Sequence, residues 1–195
     1  LEHQFADDLT FRQNARYASI KQKYRYLVYA SSAANSTVLT RRAQHEERTT
    51  NEFGLDNQLE YLMETGSVSH TLLGGFDYKT SKDKQLLERG SGSQYDLDWT
   101  SPVYGVNVDE STFKTASDEQ QNLDQMGLYL QDQMSWNNWE WLVSGRYDWS
   151  EVRTNDFTDS SFTQQNDSKL TWRTGLLYAF DFGLSPYISY STSFE

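Results

Sequence analysis

The sequence predicts an all-β fold: an antiparallel, up-and-down transmembrane β-barrel segment of about seven strands. Three observations lead there. Apolar and polar residues alternate with period two in seven stretches, the pattern of a strand whose two faces meet different surroundings. The links between the stretches alternate between long and short, and aromatic residues collect at the two ends of the stretches. Barrels of the bacterial outer membrane share both habits, with short turns at one rim, long loops at the other and an aromatic girdle at each interface.

Composition sets the frame. The 195 residues include 17 basic and 28 acidic side chains, a net charge of −11, and the mean hydropathy is −0.79. So polar a chain stays disordered unless it has apolar groups to bury, and this one carries six tryptophans, thirteen tyrosines and ten phenylalanines. Its longest apolar runs, such as residues 176–180, fall far short of the ~20 residues a membrane-spanning helix needs. The absence of cysteine excludes disulfide scaffolds, thiolate zinc sites and cysteine nucleophiles. The acidic balance argues against nucleic acid as a partner, since binding a polyanion relies on clustered Lys and Arg. Beginning at Leu1 rather than Met, the sequence reads as a mature, truncated or excised chain.

The seven stretches follow in order. Leu9, Phe11, Ala15 and Tyr17 alternate with Thr10, Arg12, Asn14 and Arg16. Phe53, Leu55, Leu59, Tyr61 and Met63 alternate with Glu52, Gly54, Asp56, Gln58 and Glu60. His70, Leu72, Gly74, Phe76 and Tyr78 oppose Ser69, Thr71, Asp77 and Lys79, with Leu73 an exception. Met126, Leu128, Leu130, Met134 and Trp136 oppose Gln125, Gly127, Gln131, Gln133 and Ser135. Trp139, Trp141, Val143, Tyr147 and Trp149 oppose Glu140, Ser144, Arg146, Asp148 and Ser150. Leu170, Trp172, Leu176, Tyr178 and Phe180 oppose Lys169, Thr171, Arg173 and Gly175, and a weaker stretch runs from 184 to 194. Leu72, Phe76, Met126, Leu128, Leu130, Val143 and Leu176 are expected on an outward face, with Thr71, Gln131, Arg146 and Arg173 on the inner one.

Short links fall at 64–67, 137–138 and 181–183, and long ones at 18–51, 79–121 and 151–167, with the flanking strands expected to extend around residues 24–30 and 36–42. Trp136, Trp139, Trp141, Tyr178, Phe180, Phe182 and Tyr187 gather beside the short turns, while Tyr17, Tyr78, Tyr147, Trp149 and Trp172 are expected near the long-loop ends. Alternation alone fits a water-soluble β-sandwich equally well, with the apolar face turned inward. Loop sorting, strand length and the two girdles favour the barrel.

The segments LTFRQNARY (9–17), GSVSHTLLGGFDY (66–78), SPVYG (101–105), GLYLQDQ (127–133), GRYDW (145–149), LTWRTGLLYAF (170–180) and SPYISYSTSFE (185–195) resemble consecutive barrel strands of ferrichrome-type TonB-dependent outer-membrane siderophore receptors. The resemblance spans essentially the whole chain, in the family's order and spacing. It implies a barrel of about twenty-two strands filled by a plug domain, located in the bacterial outer membrane, that captures a ferric siderophore and imports it with energy delivered by TonB. Under this resemblance residues 1–195 are a partial barrel domain, roughly the middle third of the barrel, without the plug or a TonB-contacting segment. Its partners are the siderophore, outer-membrane lipid and, through the complete receptor, the plug and TonB. No cofactor is expected, because ferric iron arrives already chelated by the siderophore.

The resemblance also places ligand-wall tyrosines after the first segment, where Tyr26 and Tyr29 are the nearest matches and Tyr24 is adjacent. Tyrosine suits such a wall, offering rigid contact area and a hydroxyl. The family's paired cysteines in this loop are absent. In the second long link Trp99 and Tyr104 are candidates for touching or gating the ligand, and packing of the loop's aromatics on themselves is the competing reading. Arg12, Arg16, Arg146 and Arg173, sharing a polar face with Asp56, Glu60, Glu140 and Asp148, read as cross-strand charge pairs or as a plug-contacting lumen. Catalysis has little support, since there is no GxSxG elbow or glycine-rich phosphate loop, and His45 next to Glu46 and Glu47 cannot point with Glu46 to one face. A general porin or adhesin-like barrel and a soluble β-sandwich binding module stay open beside the receptor. Cut out of its barrel, the segment is expected to form an open curved sheet with exposed edges at residues 9–17 and 184–194.

Overall fold

A computed structural model describes residues 1–193; Phe194, which closes the seventh expected stretch, and Glu195 lie outside the described residues. Among the described residues nine strands form: β1 (Glu2–Ala6), β2 (Leu9–Ser31), β3 (Val38–Thr65), β4 (Val68–Ser91), β5 (Leu97–Asp98), β6 (Lys114–Trp136), β7 (Trp139–Asp156), β8 (Ser161–Tyr178) and β9 (Tyr187–Ser191). Eight pair in the order β1-β2-β3-β4-β6-β7-β8-β9, and β5 pairs separately with β3. Every pairing in that order is antiparallel between neighbours in sequence or across a single excursion, the up-and-down topology expected. The sheet is open, with β1 and β9 at its edges.

Alternation becomes two coherent faces once the register is added. Phe76, Leu128, Tyr147 and Leu170 lie on one row, and Tyr78, Met126 and Trp149 on the next. Leu72, Leu130, Val143 and Leu176 fall on the same face, opposite Thr71, Gln131, Arg146 and Arg173. Little of the apolar face is covered: Leu128 is 50% exposed and Leu130 61%. A sheet with both faces open has no interior core, and this apolar surface is what a barrel wall presents to lipid. At the short turns Trp136, Trp139 and Tyr178 share a row, with Trp139 and Tyr178 ring centroids 4.7 Å apart. Trp172, expected at the long-loop end, instead lies mid-band on the row of Leu130, because β8 pairs it with Gly145.

The long links differ most from expectation. They are mainly strand: β3 alone has 28 residues, ~90 Å at ~3.3 Å per residue, far more than the ~9–11 residues of one crossing. Within the long links, irregular backbone is confined to residues 32–37, 92–113 (apart from β5) and 157–160. The reason is physical. Above the row of Tyr17, Phe53 and Thr80 the face that was apolar reads Ser19, Lys21 and Lys23 on β2, Asn51, Thr49 and Glu47 on β3, and Lys82 and Lys84 on β4. With both faces in water the alternation disappears, but the hydrogen-bond ladder does not. Two further expectations are corrected. The edge at residues 9–17 is partly covered, since β1 pairs with Leu9 to Arg12, and the other edge begins at Tyr187, because residues 179–186 form a longer turn held by Phe180 N–H donating to Leu184 O at 2.8 Å.

Candidate functional site

The candidate site lies on the polar face of the hairpins that rise above the apolar band. Even-numbered residues of β2 lie on that face, from Arg12 and Arg16 up to Tyr24 and Tyr26. There the Tyr26 hydroxyl donates to Glu46 at 3.2 Å, and Gln85 Nε2 donates to the other Glu46 oxygen at 2.9 Å. One step lower Arg48 holds Asp83 with contacts down to 2.6 Å. Burial first, then the nearby Glu46 charge, pushes the Tyr26 phenol above its ordinary value, and Arg89 opposes the shift. The Asp83 hydrogen bond raises the Arg48 guanidinium. Gln44, directly opposite Tyr26 on β3, is 8% exposed.

The five aromatic candidates do not converge. Tyr24 and Tyr26 share the polar face, whereas odd-numbered Tyr29 lies on the other face with its hydroxyl 3.1 Å from Ser32 Oγ. Trp99 and Tyr104 belong to the 92–113 excursion and are 58% and 76% exposed. That excursion is fastened to the side away from Tyr26. Tyr95, 1% exposed, accepts a hydrogen bond at its carbonyl from Arg41 Nε at 2.6 Å. Phe113 packs on Gly90, where a side chain would collide with its ring. Glu110 reaches Arg25 at 2.6 Å and His45 at 3.2 Å. His45 therefore faces Glu47, Glu88 and Glu110 rather than Glu46. Among the described residues no three His, Asp or Glu side chains converge as metal ligands.

Within the apolar band the polar face carries a second cluster. Arg146 crosses Gly127 to bind Asp77 at 2.6 and 3.0 Å, and also contacts Asp148 on its own strand. Tyr129 lies over Gly75 and donates to Asp56 at 2.9 Å, with the Arg146 guanidinium 5.6 Å from its ring centre. Arg12 pairs with Glu60 at 2.9 Å and Arg173 donates to Gln131 at 2.7 Å, so three of the four arginines form cross-strand contacts. Sequence reasoning missed Tyr129, a ring in the polar parity of β6. The available signal was Gly75 and Gly127, two glycines in polar positions of adjacent strands.

Residues 1–195 match the family model described as "TonB dependent receptor-like, beta-barrel". The chain belongs to that family. It is 37% identical over 194 residues to a ferrioxamine B receptor of Salmonella typhimurium, covering 100% of this chain and 27% of that protein. It is 30% identical to the ferrichrome outer membrane transporter/phage receptor of Escherichia coli K12, covering 100% of this chain and 29% of the relative. The chain thus spans under a third of the length of these relatives. In fold it is similar to the siderophore receptor PiuA of Acinetobacter baumannii, with a TM-score of 0.81 at 19% identity over 97% of this chain and 30% of that one. The ferric citrate transporter FecA gives a TM-score of 0.77 at 13% identity, over 96% and 25% of the two chains. As a piece of a TonB-dependent receptor barrel, the sheet turns its polar face to the lumen and its apolar face to lipid. That places Tyr24, Tyr26 and the Arg146 cluster on the lumenal wall.

This orientation makes one pair conspicuous. The alternation of β6 breaks at Asp132, which falls on the lipid-facing side and lies 2.9 Å from His70 Nδ1. A carboxylate in hydrocarbon is costly unless it is paired, and here the partner comes from the neighbouring strand.

Proposed function

We propose that the chain is wall of an outer-membrane receptor that binds a ferric siderophore and imports it in a TonB-dependent manner. Residues 1–195 supply part of the barrel, while the plug and the TonB contact belong to other parts of the receptor. The protein contributes neither cofactor nor metal ligand, since the siderophore's own oxygens hold the iron, and it performs no catalysis. One observation carries this reading: Tyr24 and Tyr26 stand on the lumenal side of strands that continue well past the apolar band, where a chelate entering from outside first meets the wall. The names of the relatives support the choice of ligand, since ferrioxamine and ferrichrome receptors match the chain from end to end.

The reading assigns wall contacts to Tyr24 and Tyr26 and leaves Tyr29, on the other face, without one. Trp99 and Tyr104, on the excursion behind the wall, are left without a wall contact. The test uses the full-length receptor in detergent, titrated with ferric ferrioxamine B and with ferrichrome while intrinsic tryptophan fluorescence is followed. Tyr24→Ala with Tyr26→Ala should weaken binding about tenfold, equivalent to ~1.4 kcal/mol, and Tyr29→Ala should leave it within twofold. If the wild-type receptor binds neither ferric complex, the siderophore reading is wrong.

A further inference from the structure

Charge is distributed unevenly over the lumenal wall. The chain has a net charge of −11, yet its upper lumenal rows hold cations without counter-ions. Arg89 on β4 sits directly opposite Gln44 on β3 and Lys114 on β6, and Arg42 on β3 sits opposite Val28 and Ser91. Arg42 and Arg89 are therefore diagonal neighbours on one face, and Arg89 and Lys114 direct ones, within ~5–8 Å at the backbone. None of the three takes part in an ion pair among the described residues. The Nε–H groups of Arg42 and Arg89 are buried and meet no acceptor among those residues. Glu46, the carboxylate one step below, is already engaged by Tyr26 and Gln85. Further down, Arg48 and Asp83 neutralise each other.

Two guanidinium groups and an ammonium so close repel one another, and the planar forks of the arginines match a carboxylate in a two-point contact. Nothing in the β3–β4 ladder requires cations here, because backbone groups hold these strands together. We propose that Arg42, Arg89 and Lys114 form an anion subsite beside Tyr26, which takes a carboxylate carried on the periphery of the ferric chelate. The subsite rests on the siderophore reading and sharpens it. Among chelates of one iron-binding chemistry, this receptor selects those with a negatively charged arm over those with a neutral or cationic arm. The iron centre is untouched by this contact, so the selection acts on the tail of the ligand.

The experiment uses the full-length receptor and three ferric complexes of one linear trihydroxamate chelator, whose tail ends in an ammonium, an acetamide or a carboxylate. In the wild type the carboxylate form should bind about tenfold more tightly than the acetamide form, and the ammonium form most weakly. Arg42→Gln and Arg89→Gln should each reduce the carboxylate-to-acetamide ratio to about threefold or less, and the double variant should abolish it. Lys84→Gln, on the opposite face, should leave the ratio unchanged. Heat-modifiable gel mobility confirms that each variant is a folded barrel. Should the glutamine variants not fold, salt provides the second measure: raising it from 50 to 500 mM, roughly threefold shorter in Debye length, should weaken the carboxylate form severalfold and the acetamide form little. A wild-type ratio near one, or a ratio indifferent to both arginine substitutions, overturns the subsite while leaving the siderophore reading intact. Failure of all three complexes to bind the wild type overturns the subsite, and failure of ferrichrome to bind as well overturns both.

Discussion

Placing a side chain at Gly127 should break the lumenal cluster from a position that makes no polar contact itself. A Cβ there would occupy the space of the Arg146 guanidinium, which crosses Gly127 to reach Asp77 at 2.6 and 3.0 Å. Gly127→Val thus displaces Arg146 and leaves Asp77 without its partner. Charge-assisted hydrogen bonds contribute ~1.5–3 kcal/mol when sheltered. The Arg146 side chain is 37% exposed and Asp77 28%, so screening brings the expected loss to ~1–2 kcal/mol. Valine in place of glycine also favours the strand, by up to ~1 kcal/mol, and this second effect supplies the control. In an Arg146→Ala background the guanidinium is gone and only the carboxylate of Asp148, 3.0 Å from the Cβ position, stays close, so the same substitution should cost far less or be neutral. Guanidinium unfolding of the full receptor in detergent, read as a shift in midpoint over the four-member cycle, measures the coupling. If Gly127→Val costs as much without Arg146 as with it, the cost lies in the backbone and the argument from the crossing guanidinium is wrong.

Other substitutions test the two faces. Leu128→Arg puts a cation on the lipid side and should cost ~2–4 kcal/mol at mid-depth, whereas Gln131→Arg on the lumenal side should cost little, and spin labels at the two positions should report lipid and water respectively. His70→Leu leaves Asp132 alone against hydrocarbon, so it should destabilise the barrel more than His70→Leu with Asp132→Leu does; equal losses in the two would show that the pair carries no coupling. The Tyr26 phenol, raised by burial and Glu46 from its ordinary 10.0, favours the folded state below pH 10, and that contribution fades as the pH rises through its raised value. The tyrosinate absorbance lost in Tyr26→Phe should accordingly develop above pH 10, and a transition below it would place Tyr26 away from Glu46.

How much of this was legible in the sequence depended on where two solvents meet. Between the girdles one face of each strand sees lipid and the other the lumen, so selection on composition writes the strand into the sequence: residues 126 to 136 of β6 alternate so plainly that the one polar residue on the apolar side, Asp132, marks a real exception bound to His70. Above the girdle the same strands continue without a regular apolar alternation to mark them. Lys82, Asp83, Lys84 and Gln85 read as loop and are paired residue by residue with Gln121, Gln120 and their neighbours on one side and with β3 on the other. Strand length was underestimated for that reason, and the underestimate carried over to the site.

Had β2 been read as unbroken from Leu9 to Ser31, parity alone would have separated the tyrosines. Arg12 and Arg16 mark the even positions as lumenal, so Tyr24 and Tyr26 follow them and Tyr29 cannot. The extension of the flanking strands around residues 24–30 and 36–42 is as expected, but without a continuous strand through residues 18–23 the phase that the membrane portion sets is not carried up to the tyrosines. The arginines escaped notice for a different reason, since Arg42 and Arg89 lie 47 residues apart in a chain whose cations look scattered, and only the β3–β4 register makes them neighbours. In a sheet with a period of two, phase propagates along a strand from whichever part is amphipathic, while adjacency between strands must come from the register. Which tyrosines face the lumen is therefore a question the sequence could answer, and which cations stand beside them is one that only the paired strands resolve.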